Sequence, residues 1–143
     1  MRLVVHWSMP PTPESYYQEA GRGGRDGEPA RAVMLYRRGD ADFHRLQLRV
    51  TFPPRRVLGA IWSGRTTGIP DNVVESAQRL ARELRPELGP VDWAPVRQRV
   101  RAARRRLGTM ERYASAKRCR RRMLVEYFGE VLGGCSGCDS CVV

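Results

Sequence analysis

The chain predicts a fragment of a parallel α/β sheet followed by a mainly α-helical domain tied off by a metal, and three observations carry that prediction. Short β-branched runs flank a helical segment between Leu3 and Tyr36. From Asp40 onward the apolar residues recur at helical spacing instead. All four cysteines, Cys119, Cys135, Cys138 and Cys141, fall near the C-terminal end in the pattern C-x15-C-x2-C-x2-C.

Leu3 to Trp7 reads as a buried strand, broken by Pro10 and Pro13. Thr12-Pro13-Glu14 supplies a capping hydroxyl, a proline at the first helical position and an acid in the first turn, which predicts a helix from Pro13 to Ala20 ending at Gly21. A glycine-rich loop runs from Gly21 to Gly27, and Ala30 to Tyr36 reads as a second strand. Strand, helix, loop and strand make one repeat of a parallel sheet. Two strands do not make a stable sheet alone, so further strands are expected outside this chain.

Helical spacing starts at Asp40 and runs through Phe43, Leu46 and Leu48 to Val50, before the Phe52-Pro53-Pro54 break. Val57 to Trp62 and Asp71 to Leu84 follow as two helical segments. In the second, Val73, Val74, Ala77, Leu80, Ala81 and Leu84 share one face behind an Asp71 cap. The best-defined helix carries Val96, Val100, Ala103, Leu107, Met110 and Ala114 as a single apolar seam. Cys119 to Phe128 supplies its partner, with Met123, Leu124, Tyr127 and Phe128 on one side and a stop at Gly129. The two predict an antiparallel helical hairpin, with Cys119 leading the second helix where the positive helix end favours a thiolate.

Four thiolates at this spacing satisfy the tetrahedral preference of a structural zinc site, with no open position for chemistry. Two readings compete. A four-iron cluster also uses C-x2-C-x2-C, although the accompanying Cys-Pro is missing here. A pair of disulfides suits small secreted chains. The N-terminal apolar run is too short for a secretory signal, and no stretch is long enough to span a bilayer. The expectation is therefore a cytoplasmic, reducing location with no membrane partner, which favours metal over disulfides.

Formal net charge is +11, and its distribution says more than its sum. Between Arg97 and Arg122, eleven arginines and Lys117 face one acid, Glu111, so the whole excess sits in that stripe. Such a concentration is the footprint expected for a polyanion, most simply nucleic acid. Arg104, Arg105, Arg106, Arg120, Arg121 and Arg122 are the candidate DNA contacts. A solvated helix face in an arginine-rich protein is the plainer alternative, since 25 of the 26 basic residues are Arg.

The loop Gln18-Glu19-Ala20-Gly21-Arg22-Gly23-Gly24-Arg25-Asp26-Gly27 sets two guanidiniums three residues apart among glycines. The planar fork of arginine stays charged and grips phosphate oxygens bidentately. A flexible Gly/Arg surface loop has the same composition, and spacing alone does not separate the two.

The full run from Glu14 to Gly27 resembles motif VI of the RecQ family of DNA helicases, as does the strand Val4-Val5-His6 before it. Met110 to Cys141, with Cys119-Arg120-Arg121, Tyr127-Phe128-Gly129-Glu130 and the cysteine triplet, resembles that family's zinc-binding domain. The resemblance implies a superfamily-two, ATP-dependent DNA helicase that unwinds duplex in the 3′ to 5′ direction. It implies that Gln18, Arg22 and Arg25 face ATP from the second RecA-like lobe as catalytic and nucleotide-binding residues. It also implies that Cys119, Cys135, Cys138 and Cys141 bind zinc, and that DNA, single-stranded or at duplex junctions, is the partner.

Two departures accompany the resemblance. Residues 51 to 95 match nothing in the typical family member. The chain also has no G-x-x-x-x-G-K-[ST] loop and no acidic DExH motif to cradle phosphate and hold magnesium. ATP and magnesium are therefore expected only together with a missing first RecA-like lobe, and this chain is expected to be a C-terminal piece, inactive as an ATPase alone. The expected division is residues 1–50 as the end of the second lobe, 51–92 as a helical insert or linker, and 93–143 as the four-cysteine zinc-binding helical domain. A stand-alone, non-enzymatic zinc module that binds nucleic acid or a protein partner is the alternative.

Overall fold

In the computed structural model, residues 2–24 and 27–141 are described. The elements follow in the order β1 (Leu3–His6), α1 (Pro13–Ala20), β2 (Arg31–Met34), α2 (Asp40–Thr51), α3 (Arg55–Trp62), α4 (Asp71–Leu84), a single 3-10 turn (Pro86–Leu88), α5 (Ala94–Ser115) and α6 (Arg120–Tyr127). A small two-stranded parallel sheet is thus followed by helices, as the sequence predicts.

The chain separates into two compact units that are not linear segments: residues 1–41 with 105–143, and residues 42–104. The division falls inside α2 and α5.

In the first unit β1 and β2 pair in parallel, with Leu3 opposite Arg31 and His6 opposite Met34. The second strand is shorter than its apolar run, and Leu35 lies beyond its end, 44% exposed. Leu3, Val5 and Val33 are also exposed, as befits a sheet with only two strands. Helix α1 starts as its sequence dictates: the Thr12 side chain accepts a hydrogen bond from the Ser15 N–H at 3.1 Å, and Pro13 fills the first turn. Asp40 Oδ2 accepts the backbone N–H groups of Met9 (3.0 Å) and Arg37 (3.2 Å), pinning the chain after β1 to the start of α2. Met9, Pro13 and Met110 are fully buried, and Tyr16, Leu107, Tyr113 and Ala114 lie beside them in burial. Tyr113 is absent from the apolar seam read in the sequence, because its ring packs on that of Tyr16 at 5.2 Å and Tyr16 in turn meets His6 at 4.8 Å.

The second unit has its own core of Leu58 and Ile61 from α3, Ala77 and Leu80 from α4 and Val96 from α5. Phe52, Val73, Val74, Leu84, Trp93 and Val100 pack around it. The predicted face of α4 is therefore the buried one. Its cap differs from expectation: Pro70 occupies the N-cap with no side-chain hydrogen bond, and Asp71 is the first helical residue, where its charge still favours the helix dipole. Arg85, in the left-handed conformation at φ 44°, ends α4 just before Pro86. Trp62 donates from Nε1 to the Ala77 carbonyl at 2.9 Å and stacks on Trp93 at 5.8 Å between centroids. Among the described residues no helix is long and apolar enough to cross a membrane.

Candidate functional site

The four cysteines converge. Cys119 is the N-cap of α6, and its Sγ accepts the Arg122 N–H at 3.4 Å. Cys135 and Cys138 are carried by a turn in which Gly137 takes φ 111°, a conformation that favours glycine. The Cys141 N–H donates to the Cys138 carbonyl at 2.9 Å and closes the next turn. The four Sγ atoms all lie within 4.8 Å of one another, with Cys119 and Cys138 sulfurs 4.0 Å apart. Tetrahedral zinc with Zn–S bonds of about 2.3 Å places sulfurs about 3.8 Å apart, so the donor set and its spacing fit a single such ion. All four cysteines are free, with no disulfide between them. A multi-iron cluster would hold its cysteine sulfurs farther apart than this.

The thiols are electrostatically unequal. Desolvation acts to raise Cys138, but hydrogen bonds from the Arg120, Ser140 and Arg121 backbone and from Cys141 outweigh it and carry that thiol down to about 6. Cys141, hydrogen-bonded to Cys119 and Cys138, is pushed up to about 12.

Arg120 ties the cysteine loop to α5. Its Nε donates to both Asp139 oxygens at 2.8 Å, and its Nη1 donates to the carbonyls of Tyr113 (2.6 Å) and Ala114 (3.3 Å) at the end of α5. The Tyr113 carbonyl otherwise accepts only a long bond from the Ala116 N–H (3.4 Å) among the described backbone hydrogen bonds of this turn, and a guanidinium is a favourable cap for carbonyls at a helix end. This side chain, expected to face DNA, is only 24% exposed and is spent on the protein itself. Arg106 likewise meets Glu14 Oε1 at 3.3 Å. Arg104, Arg105, Arg121 and Arg122 are exposed.

The glycine-arginine loop leaves the end of α1 through a series of tight turns: Gly21 N–H to Tyr17 O (2.9 Å), Arg22 N–H to Glu19 O (3.1 Å) and Gly23 N–H to Ala20 O (3.0 Å). Gln18 and Arg22 are exposed. Arg25 lies outside the described residues. A Cβ on Gly23 would crowd Val4 Cγ2 and Ala30 Cβ at 3.2 Å, so the loop lies close against β1 and the residue that leads into β2. Glu19 anchors it from the other side, accepting a hydrogen bond from Nδ1 of buried His6 at 2.9 Å.

Glu14 is the residue that joins the two motifs, a role that its own position in the sequence does not mark. Its Oε1 accepts the Tyr127 hydroxyl at 2.7 Å while Arg106 approaches the same oxygen. Tyr17 of α1 packs on Phe128 at 5.0 Å. Helix α1, which carries Gln18 and leads into the loop that holds Arg22, is therefore fastened to the helix capped by Cys119. The one signal available beforehand was that Tyr127-Phe128 and Tyr16-Tyr17 are paired aromatics, more than a short amphipathic helix needs.

Residues 75–142 match the family described as RecQ zinc-binding. The chain is 29% identical over 99% of its length to an ATP-dependent DNA helicase RecQ of Pasteurella multocida, and 29% identical over 99% to one of Haemophilus influenzae. It spans 16% of the length of each of those proteins. Over 36 residues, a quarter of this chain, it is 56% identical to a RecQ-like DNA helicase of Caenorhabditis elegans. Likeness along nearly the whole chain, together with the matched domain and its four clustered cysteines, is consistent with the C-terminal part of a RecQ-family helicase.

Proposed function

We propose that this chain is the C-terminal portion of a RecQ-type, 3′ to 5′ ATP-dependent DNA helicase, in which Gln18, Arg22 and Arg25 face ATP and a zinc-held, arginine-rich surface faces DNA. The observation that carries the reading is Glu14, which bonds the motif VI helix to Tyr127 and Arg106 of the zinc-binding region. A nucleotide-dependent movement of α1 is thereby mechanically coupled to the DNA-facing element. Zinc, held by Cys119, Cys135, Cys138 and Cys141, supplies cross-linking and no chemistry, since four thiolates leave it no open position. Arg22 and Arg25 would stabilise charge on the transferring phosphoryl group, an effect worth about 10³ to 10⁵ in rate where such arginines have been measured. ATP and magnesium are held only when a RecA-like lobe with a phosphate-cradling loop is joined to this chain.

Duplex and single-stranded DNA binding across a salt series tests the DNA half. Arg104, Arg105, Arg121 and Arg122 are the arginines to replace, because Arg106 and Arg120 have partners within the protein. Each lost phosphate contact lowers the log–log salt slope on duplex by about 0.9, so the fourfold Gln variant is expected to flatten it by about three to four. Unchanged affinity and slope would make these arginines a solvated face. The ATP half predicts that fusing a compatible first lobe confers DNA-stimulated ATPase, lost on Arg22→Ala, while this chain alone shows none. Turnover by the chain alone would overturn it.

A further inference from the structure

Two local rules of structure are broken at a single contact in the first unit, that between His6 and Glu19. Glu19 stands in the last turn of α1, where a carboxylate meets the negative end of the helix dipole and no basic residue offsets it. Tyrosine aside, His6 is the only polar or charged residue that is buried among the described ones, 5% exposed, and its Nε2 has no hydrogen-bond partner among them. Burying a polar group costs free energy that a partner must offset. Departures of this kind collect at functional sites. Here both costs meet in one hydrogen bond, from His6 Nδ1 to Glu19 Oε2 at 2.9 Å. A carboxylate only accepts, so the proton of this bond sits on Nδ1.

The bond joins a rigid element to a loop. His6 is fixed at the end of β1, opposite Met34, and its carbonyl accepts the Leu35 N–H at 2.9 Å. Its ring packs on buried Tyr16. The Glu19 side chain is half-exposed, and its backbone carbonyl accepts the Arg22 N–H at 3.1 Å. Side chain and backbone of one residue therefore link His6 to the turn that presents Arg22. The next amide, Gly23 N–H, bonds to the Ala20 carbonyl at 3.0 Å, close against Val4 of β1. An exposed arginine has many rotamers, and a productive geometry needs its backbone held by fixed neighbours.

We propose that His6 is a positioning residue for Arg22: acting through Glu19, it locks the turn after α1 so that the guanidinium is delivered to one place. Buried as it is, His6 acts only through Glu19. What the guanidinium meets rests on the reading that Arg22 faces ATP, whereas the lock is a property of this chain alone.

Two substitutions separate the bond from the ring. His6→Phe keeps an aromatic ring against Tyr16 and removes the donor, while His6→Asn gives up the ring and keeps an N–H donor near the place of Nδ1. Glu19→Ala removes the acceptor from the exposed side and leaves the buried ring alone, so it decides the matter if a change at His6 impairs folding. Amide exchange of Arg22 and Gly23 in the zinc-loaded whole chain is the first readout, with circular dichroism as the check on the helices. Both amides are expected to exchange about tenfold faster in His6→Phe and Glu19→Ala, for loss of a hydrogen bond to a carboxylate, and at nearly the wild-type rate in His6→Asn. Fast exchange in His6→Asn with a wild-type rate in His6→Phe would mean that ring packing holds the turn, and would overturn the proposal. Wild-type rates in both His6→Phe and Glu19→Ala would overturn it as well. The second readout is turnover after fusion to a compatible first lobe. There kcat is expected to fall about ten- to a hundredfold in His6→Phe, with KM for ATP unchanged, and to recover in His6→Asn. A loosened turn with kcat unchanged would overturn the positioning of Arg22. A wild-type fusion that hydrolyses no ATP would overturn the ATP reading instead, and the exchange rates would still decide whether His6 locks the turn.

Discussion

Glu14 shows how much depends on a single half-exposed carboxylate. Desolvation acts to raise it, but the Tyr127 hydroxyl, its own backbone N–H, Thr12 and the charge of Arg106 outweigh that and hold it below the usual carboxylate range. A carboxyl depressed in the folded state contributes stability above its unfolded value near 4.5 and loses it as pH falls through the folded value. Wild-type protein is therefore expected to lose thermal stability more steeply than Glu14→Gln as pH falls below the unfolded value near 4.5, since Gln keeps an acceptor without the titration. Parallel curves for the two would show that Glu14 does not stabilise through its charge. Tyr127 is raised, by burial and by its bond to Glu14, so its share is present below its unfolded value near 10 and is lost only above that. Another single-residue prediction concerns the loop glycines. Gly24 and Gly27 both have positive φ, at 73° and 81°, but a Cβ on Gly24 would also lie 3.0 Å from the Glu28 carbonyl, whereas one on Gly27 meets nothing within 4 Å. Gly27→Ala should cost about 1–2 kcal/mol from backbone strain alone, and Gly24→Ala more, with the order of the two melting temperatures as the check.

At the scale of elements, the helices were legible because each is written locally. The Thr12-Pro13 start, the one-sided apolar face of α4 and the Pro86 stop depend on neighbours a few residues away, and they appear where the spacing puts them. Arg120 was not legible. Within its own segment it is one of three consecutive arginines, and only the fold reveals that it caps α5 and clasps Asp139 while Arg121 and Arg122 stay exposed. The bond from Tyr127 to Glu14 spans 113 positions, and no periodicity reports on such a pair. Likewise the four cysteines announced a metal centre by spacing, but the fastening of that centre to α1 lay beyond the pattern. For α4, the fully buried Leu80 supports the core of the second unit, so Leu80→Ala should cost about 2–5 kcal/mol. Chemical denaturation followed by Trp62 and Trp93 fluorescence reads that loss directly, because both rings pack on the same core.

For the whole molecule, two cores of different construction predict two responses to metal. The cysteine-bearing unit buries little in its last helix: α6 has no buried residue, and what holds it is the sulfur cluster, Arg120 and the Tyr127–Glu14 bond. Structural zinc supplies much of the folding free energy in such domains. Metal analysis of reduced protein should therefore return about one zinc per chain, and chelation should loosen this unit first. Residues 42–104 hold their apolar core without a ligand from the cluster. Amide hydrogen exchange on zinc-loaded and chelated protein separates the two. Removing zinc should raise exchange in α6 and, through Glu14, in α1, while Ile61, Ala77 and Leu80 remain protected. Cys138→Ser should reproduce that pattern without chelator. Uniform loss of protection along the chain would mean that the metal holds a single cooperative fold, and protection unchanged in α1 would mean that the bond to Tyr127 transmits nothing from the four-cysteine cluster to α1.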